Sequence, residues 1–141
     1  MNRFNYVSLV EGFCQHTGLS NADLVTQGNS ITVDKVTFTL DYNEHLNPYS
    51  VYVYCDYGEV PSNFQNVVLE YILQENTFRM IKGLPVFALV PETNRVITMH
   101  HFPLAFITAE QLYEQLTFMA AAVQDWKKID WYLVAKSQKL V

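Results

Sequence analysis

Along the segment Pro61–Phe78, apolar side chains at Phe64, Val67, Val68, Tyr71 and Ile72 follow the i, i+3, i+4, i+7, i+8 spacing of a helix. Leu69 and Leu73 fall outside that stripe, and only Glu70 and Glu75 are charged. A helix lying on one core needs a single apolar stripe about 100° wide. The pattern here is wider, so it predicts a helix covered on two sides. One cover is the chain's own sheet. The other is a second copy of the molecule, or else the helix is sunk in the middle of a monomer. Phe64, Val67, Val68, Tyr71 and Ile72 are the candidate dimer-contact residues.

The same spacing predicts a first helix over residues 3–17, with Tyr6, Leu9, Val10 and Phe13 on one stripe and Phe4, Val7 and Cys14 broadening it. Gly18 is placed to end it. Gly12 inside it either admits a neighbouring backbone or is simply tolerated. Residues 19–27 form a connector with room for one helical turn over 22–26. Strict alternation then predicts strands at 31–33 and 36–42, joined at Asp34–Lys35. A loop at 43–50 precedes a third strand, 51–55, whose alternate positions hold small apolar residues and the pair Tyr52 and Tyr54.

Beyond the central helix, Asn76 is read as its cap, and Phe78 and Met80 as a short strand. The apolar run at 85–90, a turn at 91–94 and a return strand at 95–101 predict a second hairpin. Thr108 and Gln111 form a capping box ahead of a helix striped by Leu112, Leu116, Met119, Val123 and Trp126. Residues 127–141 either extend that helix or fray. The element order is α-β-β-β-α-β-β-α. Neighbouring strands along the chain predict a mainly antiparallel twisted sheet with helices packed on one side, an α+β fold. Residues 1–126 are expected to form a single domain, with 127–141 as a basic C-terminal helical extension or tail.

Composition narrows the function. Half of the 141 residues are hydrophobic, which excludes a disordered chain, and the length suits one domain. Residues 1–126 carry five Lys/Arg against thirteen Asp/Glu, a net −8. Residues 127–141 carry four Lys against one Asp, a net +3. An acidic body argues against nucleic acid, which needs clustered cations. No apolar run is long enough to span a membrane, and no leader-like segment is seen. Two isolated thiols, Cys14 and Cys55, read as buried hydrophobes in a reducing compartment.

Catalytic chemistry finds little to stand on. His100 and His101 are adjacent in a strand and point to opposite faces. Cys14 and His16 are two apart on a helix and do not face each other. No glycine-rich phosphate loop, nucleophile elbow, zinc spacing or acidic cluster occurs. Catalytic, metal-binding and cofactor-binding residues are therefore expected to be none, and the reading falls on a binding protein. The rivals are an adaptor or scaffold for a folded partner, and a small Cys/His enzyme.

Several linked segments carry a resemblance: F-N-Y-V-S-L-V-E-G-F-C at 4–14 with Gly18 and Leu19, I-T-V-D-K-V-T-F-T-L at 31–40, D-Y-G-E-V-P at 56–61, V-L-E-Y-I-L-Q-E-N at 68–76, F-A-L-V-P-E-T-N-R-V at 87–96, and H-F-P-L at 101–104 before T-A-E-Q-L. In this order and at this length the chain resembles the Tir chaperone (CesT) family, the class I effector chaperones of bacterial type III secretion, over roughly residues 4–126. Lys35 departs from the family, which often has glycine at that turn, and so does the tail after Trp126. The resemblance implies a cytoplasmic bacterial homodimer without catalysis or cofactor. It would hold the extended N-terminal chaperone-binding region of one or more secreted effectors and keep them soluble and export-competent. It would also help to present them to the secretion apparatus, whose ATPase is a further expected contact. An extended peptide adds to a sheet edge by backbone hydrogen bonds while pockets take alternate side chains. The candidate effector-binding residues are Leu9, Phe13, Val33, Val36 and Phe38, with Tyr52 and Tyr54 as a second patch.

Overall fold

The alternation in the first half of the chain becomes an antiparallel ladder. A computed structural model describes residues 2–139. Strand β1 (Ile31–Val33) pairs with β2 (Val36–Asp41), and β2 with β3 (Ser50–Glu59). After the crossover helix α3 (Gln65–Lys82), β4 (Val86–Val90) takes the far edge, and β5 (Arg95–Pro103) returns between β3 and β4. The order is β1-β2-β3-β5-β4, antiparallel throughout. Helices α1 (Asn2–Thr17) and α4 (Ala109–Lys127) pack on each other, and α4 lies on β1, β2 and β3. The short α2 (Ala22–Thr26) occupies the connector, where one helical turn was expected.

The face under α1 and α4 is the core. Val36, Phe38, Leu40, Val51, Val53 and Cys55 are buried there with Tyr6, Val10, Phe13, Leu112 and Leu116. Phe4, expected to broaden the α1 stripe, is exposed. Gly12 is a packing residue, because a Cβ there would stand 3.3 Å from the Ala109 Cβ. α1 and α4 approach closely at that point.

Several boundaries differ from expectation: β3, expected over 51–55, runs Ser50–Glu59, and β5, expected over 95–101, runs on to Pro103. Asn76 does not cap α3, and Phe78 and Met80 belong to the helix rather than a strand. α3 runs on to Lys82 and ends at Gly83, which takes a left-handed φ of 69° while the Leu84 N–H bonds the Arg79 carbonyl at 2.9 Å. The amide of Asn76 instead serves β4. Its Nδ2 donates to the Phe87 carbonyl at 2.9 Å, and its Oδ1 accepts from the Phe87 N–H at 2.7 Å. Arg79 Nη1 donates to the Pro85 carbonyl at 3.0 Å and its guanidinium lies over the Phe87 ring. Side chains of α3 thus satisfy edge backbone groups that would otherwise be free to pair with another chain. Beyond α4 the chain breaks at 128–130. It re-enters a separate helix, α5 (Trp131–Lys139), whose first turn Asp130 caps.

The Asp34–Lys35 turn has φ of 49° and 67°, the left-handed pair of a tight hairpin, with no glycine at either position. Replacement Lys35→Gly is expected to raise stability by up to about 1 kcal/mol, the relieved left-handed cost exceeding the added unfolded-state freedom. Asn76→Ala is expected to lose about 1–3 kcal/mol, because two buried-edge backbone groups lose their partner. Urea unfolding of both variants checks the two signs.

Candidate partner-binding surfaces

Among the described residues, no helix lies over the sheet's second face. Cross-strand register sets Tyr52 opposite His101, Tyr54 opposite Met99, and Asp56 opposite Ile97. β4 adds Val86 opposite Met99 and Ala88 opposite Ile97. These side chains share the face that points away from α1 and α4. The Tyr52 and His101 rings lie 5.5 Å apart. The end of α3 reaches this face. Met80, Leu84, Val86, Tyr52 and Met99 line a mostly apolar groove of about 280 Å³. Exposed apolar residues continue along α3 at Leu73, Phe78, Met80 and Ile81, from 52% to 82% exposed.

A second concavity of about 310 Å³ lies at the opposite edge. His16, Thr17 and Leu19 from the end of α1 line it, with Thr32, Val33 and Asp34 from β1 and Tyr113 from α4. Among the described residues β1 pairs only with β2, and its outer edge carries no neighbouring strand.

The sequence-predicted site residues divide cleanly. Leu9, Phe13, Val33, Val36 and Phe38 are all buried, none above 8% exposed. Burial leaves Leu9, Phe13 and Phe38 no surface to offer, which corrects the expectation that the five form a patch; Val33 and Val36 each line the rim of a different concavity. The reason is that the regular stripe of α1 and the dry face of the first hairpin pack on each other. Tyr52 and Tyr54 are half-buried on the open face. Of the α3 residues, Val68 and Ile72 are in the core, and Phe64, Val67 and Tyr71 are half-buried against it. The exposed apolar side of α3 is Leu73 and Met80, the positions off the regular stripe. Met80, Val86, Ile97 and Met99 were missed. The unbroken apolar run at 86–90, with both faces of β4 greasy, was the signal that could have found them.

The groups with chemical potential are held inert. Burial pushes the Cys14 thiol up, and Cys55 up to about 12, the opposite of an activated nucleophile. His16 stacks edge-on against Tyr113, with ring centroids 5.5 Å apart. Among the described residues, no group of three or more His, Cys, Asp or Glu could hold a metal ion, and no helix is long and apolar enough to cross a membrane. Asp56 has a structural task at the β3 bulge. Burial alone would raise its pKa, yet it is lowered, because Arg95 grips it from Nε at 3.1 Å and Nη2 at 2.7 Å and the Gly58 N–H donates at 2.9 Å.

The sequence profile of the Tir chaperone protein (CesT) family matches residues 8–127. The chain belongs to the Tir chaperone protein (CesT) family. No curated protein matches the sequence. Solved structures with the same fold include the Yersinia pestis type III secretion chaperone SycH in complex with a stable fragment of YscM2. It is 21% identical, with 85% of this chain and 98% of that one covered and a TM-score of 0.61. A chain of the HopA1–SchA chaperone–effector complex is 11% identical over 90% and 96%, with a TM-score of 0.70. A chain of the ExsC–ExsE complex is 16% identical over 89% and 92%, with a TM-score of 0.66. At these identities the likeness is one of fold. α5 begins beyond the end of the CesT match.

Burial first, and the neighbouring His101 second, hold the His100 imidazole below its ordinary 6.5. The unfolded chain therefore takes up this proton at a higher pH than the folded one. Stability from this residue is complete above about pH 6.5 and declines as pH falls below it. Replacement His100→Gln is expected to flatten the loss of stability between pH 7 and pH 5, measured by urea unfolding at the two pH values.

Proposed function

We propose that this CesT-family chain is a homodimeric class I type III secretion chaperone of the bacterial cytoplasm. It binds the extended N-terminal chaperone-binding region of an effector and keeps it soluble and competent for export. The observation that carries the reading is surface left open in two places on the protomer, one apolar and one of mixed polar and apolar lining. One is the open sheet face with the outer side of α3. The other is the concavity beside the unpaired edge of β1. Residues 1–126 act as the chaperone domain, and 127–141 as its extension.

The two surfaces suit two tasks. The groove between Met80 and Tyr52, with exposed Leu73 on the same side of α3 as Met80, supplies apolar area for a self-complementary contact. The β1 edge offers backbone groups for strand addition, with Leu19, Val33 and Tyr113 beside it to take alternate side chains. Ordering a disordered segment costs conformational entropy, so a long footprint spread over two protomers is favoured. Raised thiol pKa values, and histidines on opposite sides of β5, support action by binding without catalysis or cofactor.

Light scattering is expected to give twice the protomer mass of 16.3 kDa. Leu73→Glu with Met80→Glu should weaken self-association at least tenfold, or about 1.4 kcal/mol, with an unchanged circular dichroism spectrum. A 16.3 kDa wild type at micromolar concentration refutes the dimer. Leu19→Asp should weaken effector binding while the dimer persists. A bound partner that resists limited proteolysis as a compact domain would favour a scaffold for folded proteins.

A further inference from the structure

Helix α3 is apolar on three sides. Val68 and Ile72 enter the core, and Leu73 and Met80 turn outward. The third side, Val67 and Tyr71, is covered by α5, which lies outside the CesT match. The Trp131 ring stands edge-on to Tyr71 at 5.4 Å and to Trp126 at 4.9 Å, and is only 8% exposed. Seven residues on, Gln138 Nε2 donates to the Val67 carbonyl at 3.0 Å. α5 is thus seated by an aromatic anchor at one end and a hydrogen bond at the other, the manner in which an amphipathic helix is received in a groove.

Two features set α5 apart from α4, although Trp131 itself is part of the buried core. First, the break before α5 is only residues 128–130, and Lys128 keeps helical angles of φ −92° and ψ −4°. The stripe of Met119, Val123 and Trp126 continues in helical register to Leu133 and Val134. What interrupts the helix is Asp130, whose Oδ1 accepts from the Tyr132 N–H at 3.0 Å and the Leu133 N–H at 3.4 Å. A docked α5 and an α5 merged with α4 therefore differ by a few dihedrals. Second, charge sets the tail apart: residues 127–141 have four Lys against one Asp, whereas the rest has five Lys/Arg against thirteen Asp/Glu. The body attracts a basic helix whether or not it is tethered.

We propose that the Val67–Tyr71 side of α3, together with Trp126, is a helix-receiving site held in cis by α5. Its external ligand is a basic amphipathic helix with a tryptophan anchor and an amide two turns later. α5 is the resident copy of that pattern and lowers the apparent affinity of any competitor by the fraction of time it is docked. The site is independent of the chaperone reading, since it rests only on how α5 packs.

The test uses a fluorescein-labelled peptide of residues 128–141 and the full-length chain, read by anisotropy. Wild type should bind it weakly, because its own α5 fills the site. Trp131→Ala, which removes the resident anchor, should bind it at least tenfold more tightly. That binding should shift the emission of Trp126, which is then the protein's only tryptophan, with an unlabelled peptide carrying Phe in place of its own tryptophan. Asp130→Ala leaves the aromatic packing in place and weakens only the cap, so it should bind several-fold more tightly than wild type. It decides the matter if Trp131→Ala fails to fold. A peptide that binds neither variant more tightly than wild type, or one that binds as well with its own tryptophan replaced by alanine, overturns the site.

Discussion

A five-stranded sheet has two faces and two edges, and this chain has helices enough to close one face and one edge. α1 and α4 close the face that holds Phe38, Leu40, Val51 and Val53. Each such side chain contributes about 1.5–3 kcal/mol on leaving water. α3 closes the β4 edge through Asn76 and Arg79. What remains open follows by subtraction: the face bearing Tyr52, Tyr54, Ile97 and Met99, and the edge of β1. The surfaces assigned to partners are therefore the places where the protomer runs out of its own elements.

The closure of the β4 edge depends on an amide rather than on burial alone. Asn76 reproduces the donor and acceptor of a neighbouring strand at Phe87. At the other end of the ladder the Asp56–Arg95 pair ties the β3 bulge to the start of β5. Between these two clamps β5 is held in the middle of the sheet, and the groove beside Met80 takes its shape. α5 completes the picture, since it occupies a side of α3 that neither the sheet nor the open face uses.

Much of the fold was legible in local patterns. Strict alternation at 31–42 and the capping box at Thr108–Gln111 have immediate physical causes, and both appear where the residues place them. The assignment of sites was less legible. The regular stripes of α1 and α3 drew attention to Leu9, Phe13, Val68 and Ile72. A regular stripe is what a helix gives to its own core, whereas the exposed apolar positions, Leu73 and Met80, break that regularity.

What the sequence by itself determined was the kind of molecule: element order, a dry face and a second greasy face, inert thiols, and the linked segments of the CesT pattern. These are properties of neighbours in the chain, which local spacing encodes. The tertiary structure alone decided which apolar side met which partner. It set Asn76 against Phe87 across eleven residues and Gln138 against Val67 across seventy-one. Burial is a property of the whole packed chain, and the spacing of residues along one helix does not say which of its sides the rest of the chain will reach first.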